Sequence, residues 1–169
     1  MFYLDLFRAL EGGKVRYLIV GGVAVNLHGA ERMTMDVDLM LGLDPENLAR
    51  FLKVARGLQL KPGVLPVTLE QFCDPATVES WVREKHMLAF QLRSPVIDSP
   101  SIDILVRPVV PFDEAYRRRA RMVLEDVTVS VAAPQDLIAL KSGTGRQIDE
   151  SDIRALQRLD MLQRRKRDD

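Results

Sequence analysis

Cysteine is almost absent: Cys73 is the only one in 169 residues. An internal disulfide is therefore excluded, and a reducing compartment is expected. An excess of charge is also lacking, since 24 Lys and Arg balance 24 Asp and Glu. No overall field draws the chain to nucleic acid or a bilayer, so any such partner has to be met by a local patch. No apolar run approaches the roughly 20 residues that a membrane-spanning helix needs. The opening MFYLDLFRALEGG carries Asp5 and Arg8 inside its apolar pattern, which suits an amphipathic helix and not a secretory signal. Internal repeats and low-complexity linkers are missing too. What remains is 47% apolar and 28% charged, the composition of a soluble globule. The expectation is one cytoplasmic domain over 1–169, with 134–169 as a C-terminal helical extension.

Strand and helix patterns interleave along the chain. Phe2, Leu6, Ala9 and Leu10 fall at helical spacing ahead of Gly12-Gly13, and Val15 to Val20 reads as a first strand. Val23 to His28 suits a short helix, and Thr34 to Leu41 a second strand. Asp44-Pro45 caps a helix that ends at Gly57. Leu60 to Phe72, broken by Pro62, Gly63 and Pro66, supports no assignment. Asp74-Pro75 opens a helix through Lys85. Met87 to Leu92 and Ser101 to Val106 read as strands, Phe112 to Ala120 as a helix, and Met122 to Val131 as a strand or a hairpin about Glu125-Asp126. Pro134 to Lys141 and Asp149 to Leu162 read as closing helices, and the charged tail 164–169 is expected to fray. The class is α/β or α+β, a small mixed β-sheet flanked by helices.

The chemistry concentrates in YLIVGGVAVNLHGAERMTMDVDLML, residues 17–41. Asp36 and Asp38 alternate with Val37 and Leu39, so a strand puts both carboxylates on one face, roughly 7 Å apart along the chain. Two close anions repel unless something positive lies between them. Asp103 interrupts the apolar run Ile102–Val106 and is a third candidate. Three acids on two strands suit magnesium, which takes oxygen ligands and bridges carboxylates to substrate phosphates. Gly21-Gly22 allows a backbone to approach those phosphates, and the next helix would face them with free N–H groups.

Val20-Gly21-Gly22, a thirteen-residue spacer, and Asp36-Val37-Asp38-Leu39 together resemble the signature of the DNA polymerase β-like nucleotidyltransferase superfamily. Asn26, His28-Gly29, Arg32 and Thr34 within the spacer resemble its AbiEii-like branch, nucleotidyltransferases described as toxins of type IV toxin–antitoxin systems. Asp136 to Lys141 followed by Arg146, Asp149 and Asp152 is similar to that branch as well. Gly-Gly in place of Gly-Ser sets the chain apart from polymerases and from antibiotic-modifying enzymes of the Gly-Ser type. Residues 58–98 carry no resemblance.

The resemblance implies a nucleotidyltransferase fold and transfer of a nucleoside monophosphate from a nucleoside triphosphate (NTP) to an acceptor hydroxyl, with release of pyrophosphate. Asp36, Asp38 and Asp103 would hold magnesium or manganese, and Asp103 would also help take the acceptor proton. Gly21, Gly22, Arg32 and Lys141 would meet the triphosphate, Lys141 as a point charge. The implied acceptor is an RNA such as a tRNA 3′ end, or a protein. A toxin role would imply a separate antitoxin.

Competing readings stand beside these: Asp36 and Asp38 could be exposed acids on an edge strand. Asp103 could cap a turn or pair with Arg107, and Arg32 could pair with nearby acids. Lys141 suits a helix C-terminus in any case. Arg146, Asp149 and Asp152 read first as a local salt-bridge set. Arg117, Arg118, Arg119 and Arg121, and separately Arg164 to Arg167, could track an RNA backbone, although few aromatics interleave with them to stack bases. His28, Asn26, Thr34, Cys73 and Trp81 are read as structural. The alternative function is a non-catalytic protein that keeps the fold to bind nucleotide or a partner.

Overall fold

The computed structural model describes residues 2–63 and 66–168. A seven-stranded mixed sheet carries the chain, in the order β3-β4-β5-β2-β1-β7-β6. Its strands are β1 (Tyr17–Val20), β2 (Val37–Leu41), β3 (Lys61–Pro62), β4 (Ala89–Arg93), β5 (Ile102–Leu105), β6 (Ala120–Leu124) and β7 (Val127–Val131). Two pairings are parallel, β2 with β5 and β1 with β7, and the other four are antiparallel. The helices are α1 (Phe2–Gly12), α2 (Gly21–Leu27), α3 (Pro45–Gly57), α4 (Leu69–Phe72), α5 (Pro75–Lys85), α6 (Phe112–Arg118), α7 (Pro134–Lys141) and α8 (Gln147–Asp168). This is the mixed sheet with flanking helices that the sequence pattern led us to expect. No described helix is long and apolar enough to cross a membrane.

The central strands are apolar because they are covered on both faces. Tyr17, Leu18, Ile19 and Val20 of β1 are all buried, as are Val37, Leu39, Met40 and Leu41 of β2. Asp44 caps α3 by accepting from the Asn47 N–H, with Pro45 in the first turn, as its sequence suggests. The same holds for Asp74, Pro75 and α5. The stretch 58–72 that resisted assignment contributes an edge strand, β3, and the one-turn α4. A capping box between Thr68 and Gln71 closes that turn. Its Phe72 is fully buried and stacks on Phe90 at 4.3 Å between ring centroids, with Trp81 stacked on the same ring at 5.8 Å. Residues 58–98 thus build the side of the sheet that supports β5.

Several boundaries differ from expectation. The second strand starts at Val37, not Thr34. Val20, the last residue of β1, pairs with Asp38, and Gly21 then turns away, so residues before 37 have no β1 partner. Met33 and Met35 accordingly lie 94% and 80% exposed. The short helix begins at Gly21 itself. The last helix continues to Asp168, so the tail expected to fray keeps the helical ladder; Asp169 lies outside the described residues. The region 122–131 resolves as a hairpin, with Glu125 at φ +55° in its turn.

Asn47, 1% exposed, stitches the start of β1 to the end of β2. Its side-chain oxygen accepts from Arg16 N at 2.7 Å, and its amide donates to Arg16 O at 3.0 Å and Gly42 O at 2.7 Å. Asn47→Ala leaves three backbone groups without these partners. It should lower unfolding stability by about 2–4 kcal/mol in urea titrations, whereas Asn47→Asp should be only partly tolerated because it keeps the acceptor and loses the donor.

Candidate active site

The parallel pairing of β2 with β5 sets Asp38 directly opposite Asp103. Side chains of register partners point to the same face of a sheet, so these two carboxylates are neighbours. Asp36 sits one residue ahead of β2, in a bend, and not on the strand as expected. It still reaches the site, and its carboxylate accepts a hydrogen bond from Ser101 Oγ at 2.7 Å. Ser101 precedes β5, and its carbonyl accepts from Val37 N at 2.9 Å. The two strands therefore start together, with an acid at the mouth.

A cleft of about 270 Å³ is lined by Gly21, Gly22, Arg32, Asp36, Asp38, Asp103 and Lys141. Every site residue expected from the sequence is thus brought to one place. Leu105, Leu137 and Leu140 supply an apolar wall, and Thr34, Arg146 and Asp149 complete the polar side. Gly21 has φ +64°, and a Cβ there would lie 1.9 Å from Asp38 Oδ2. At Gly22 a Cβ would meet Thr34 Oγ1 at 2.7 Å and Arg32 Nη1 at 2.9 Å. Both positions need glycine, the first for its backbone and both for close approach.

Charge in the cleft is unevenly compensated. Burial pushes the Asp38 carboxyl up to about 6, and Asp103 adds to the rise; Lys141 opposes it, Asp36 reinforces it and Arg32 opposes it. Asp103 is also raised, by burial first, against a hydrogen bond from its β4 register partner Gln91 and with a further push from Asp36. Among the described residues no group of three or more Asp, Glu, His or Cys side chains is gathered tightly enough to hold a metal ion unaided.

The cations are themselves held. Lys141 Nζ lies 3.1 Å from Asp149 Oδ1 and 2.8 Å from Asp152 Oδ2, and Arg32 Nη1 lies 2.6 Å from that same Asp152 oxygen. Arg146 Nε and Thr144 Oγ1 each donate to Asp149 at 2.7 Å. Burial raises the Asp149 carboxyl, but the hydrogen bonds from Thr144, Lys141 and Arg146 outweigh it and hold it below the usual value. The set Arg146, Asp149 and Asp152 is a salt-bridge network, as its spacing suggested, but a wider one that takes in Arg32 and Lys141. Sequence reasoning missed Ser101 and Gln91. Neither sits in a pattern, and only strand register reveals what they face.

Of the residues read as structural, Thr34 lines the cleft, whereas His28 and Asn26 make internal contacts. The His28 ring is 2.8 Å from Ala132 O, and Asn26 donates to Arg32 O at 2.8 Å. No ion pair joins Asp103 to Arg107 among the described residues. Three of the clustered arginines are engaged within the protein: Arg118 with Asp136 at 2.7 Å, Arg119 over the Tyr116 ring at 3.9 Å, and Arg121 with Glu11 at 3.0 Å. In the second cluster the side chains of Arg164, Lys166 and Arg167 lie outside the described residues.

The raised Asp38 carboxyl has a stability consequence. Its folded value, about 6, exceeds its ordinary value of 3.8, so folding favours the protonated form. That contribution is complete below about pH 4 and is lost as pH rises through 6. Asp38→Asn should therefore stabilise the metal-free protein at pH 8 by about 2–3 kcal/mol, with the gain vanishing near pH 4. Thermal melts across that pH range in a chelating buffer check this.

Several solved structures share the fold. A lincosamide antibiotic adenylyltransferase, LnuA, bound to lincomycin is 17% identical, with 94% of each chain covered and a TM-score of 0.58. ANT(2″)-Ia in complex with adenylyl-2″-tobramycin is 14% identical over 99% of this chain and 95% of that one, with a TM-score of 0.54. An antigenic nucleotidyltransferase-like protein from Paracoccidioides brasiliensis is 18% identical over 95% and 75%, with a TM-score of 0.53. At such identities these are likenesses of fold. No curated protein gives a significant match. One family model covers residues 7–164; it bears out the superfamily resemblance without naming the AbiEii-like branch. The chain belongs to that family, described as nucleotidyltransferases of unknown function (DUF6036).

Proposed function

We propose that this nucleotidyltransferase moves a nucleoside monophosphate from an NTP to an acceptor hydroxyl at the cleft between β2, β5 and α7. The reading rests on one observation above all: Asp38 and Asp103 are register partners in a cleft that also receives Asp36, a glycine turn and the cations Arg32, Lys141 and Arg146. The acceptor oxygen would attack the α-phosphorus, the bond to the bridging oxygen of the β-phosphate would break, and pyrophosphate would leave. Asp103, with its raised carboxyl, is suited to take the hydroxyl proton. Lys141 and Arg32 would face the phosphates over Gly21 and Gly22.

Asp36, Asp38 and Asp103 fit a hard divalent cation. All three offer oxygen donors, and Asp38, raised first by burial, is raised further by Asp103 and Asp36, a repulsion that a cation would relieve. Magnesium commonly takes one or two carboxylates plus substrate oxygens, so a closed protein cage is not required. Magnesium or manganese bound there would neutralise charge on the triphosphate and the departing pyrophosphate.

The acceptor we assign to an RNA end, such as a tRNA 3′ end, or to a protein hydroxyl. That assignment, with the toxin role and its separate antitoxin, rests on the resemblance of residues 15–42, 100–106 and 134–156, and a cytoplasmic setting on the single cysteine. The internal engagement of Arg118, Arg119 and Arg121 weakens the RNA arm. We also read 1–169 as one domain in which 134–169 is a helical extension completing the cleft.

Incubating the protein with magnesium, labelled NTPs and total RNA or total protein tests the reaction. Label should transfer to one acceptor pool, and Asp36→Ala should reduce it by about 100-fold or more. Nucleotide binding with no transfer to either pool would favour the non-catalytic binder. Gly21→Ala, which drives a methyl group into the Asp38 carboxylate and strains a left-handed backbone, should cut the rate by about 100-fold through misplacement alone. Calorimetric nucleotide titrations should show that it still binds.

A further inference from the structure

Asp152 is buried on α8 and is not itself among the residues that line the cleft, yet one of its oxygens ties together two cations that do line it. Asp152 Oδ2 is 2.6 Å from Arg32 Nη1 and 2.8 Å from Lys141 Nζ. Two positive groups bound to one oxygen at those distances lie within about 6 Å of each other, where like charges repel strongly unless an anion lies between them. Both stand partly out of water: Lys141 is 7% exposed and the Arg32 side chain 20%. Their donor inventories are only partly spent. Lys141 has three N–H donors, two of them directed at Asp149 and Asp152. Arg32 Nε is buried and has no hydrogen-bond partner among the described residues. The Arg32 guanidinium also lies over Gly22, 2.9 Å from where a Cβ would be.

We propose that Asp152 is a positioning residue for the phosphate-binding half of the site: it clamps Arg32 and Lys141 side by side above the glycine turn, with their unused donors left for a triphosphate. This deepens the nucleotidyltransferase reading and rests on it. The clamp acts through geometry. Arg32 arrives on the loop between α2 and β2, Lys141 ends α7, and neither element sets the other's side chain. Asp149 holds Lys141, Arg146 and Thr144 and pairs with no atom of Arg32 among the described residues, so Asp152 is the group that relates Arg32 to Lys141. Competition between Asp152 and the triphosphate for the same cations is the opposing case. The two differ in sign.

Isothermal titration of the full chain with magnesium and inorganic tripolyphosphate, then with each NTP, separates them. Wild type should bind tripolyphosphate, and Asp152→Asn should weaken it by about 10- to 100-fold, the usual loss when the outer partner of a ligand-binding group is removed. Asp152→Glu, which keeps the anion, should recover part of the affinity and carries the test if the Asn variant does not fold. In turnover assays the loss should fall on KM for the NTP with kcat little changed. Leu156→Val, which trims a fully buried residue on the same helix, should lower Tm and leave affinity unchanged. Unchanged or tighter binding in both Asp152 variants overturns the clamp while leaving the reaction intact, as does an equal loss in Leu156→Val. A wild type that binds neither tripolyphosphate nor any NTP overturns the nucleotidyl-transfer reading and the clamp with it.

Discussion

Everything in this cleft follows from two carboxylates being placed opposite each other on adjacent parallel strands. The Asp38–Asp103 register pair is a local insult to stability, because each carboxyl is raised by burial and Asp38 is raised further by Asp103. The apolar faces of β1, β2 and β5 provide the burial that tolerates it. Antiparallel pairing with β4 on the other side of β5 then sets Gln91 against Asp103, a neutral partner that partly offsets the charge.

Counter-charge comes from elsewhere in the chain. Lys141 and Arg32 both lower the Asp38 carboxyl, and both are anchored behind the cleft by acids of α8. The site is therefore layered, with anions in front, cations above the glycine turn, and a second row of anions behind the cations. Each row makes the next tolerable. A buried cation paired to a buried acid costs far less than either alone, and Lys141 with Asp149 and Asp152 is such an arrangement.

Much of this was legible before any coordinates. Gly-Gly after an apolar strand, followed by Asp-x-Asp, marked the cleft because strand periodicity and glycine permissiveness are local properties. Asp103 stood out as a charge in a buried-looking run. Helix caps at Asp44 and Asp74 were readable for the same local reason. What stayed hidden was set by register and long-range packing. The bend at Asp36 follows from β1 ending opposite Asp38, which no pattern within residues 30–41 reveals. Residues 58–72 were opaque because their order comes from Phe72 stacking on Phe90 of a strand that follows much later. The salt-bridge set near α8 was recognised, but its reach to Arg32, 120 residues away, could be seen only in the folded chain.

The Arg32–Asp152 link also bears on the order in which the protein becomes competent during synthesis. The sheet with its three acids and the glycine turn precedes α8 in the chain and is therefore made before it, whereas the carboxylates that steady the cations lie on that helix. Until that helix docks, Lys141 and Arg32 have no common anchor beside the raised acids. A chain in which α8 has not yet packed would then hold these two cations and the three acids near one another with nothing to fix how they face.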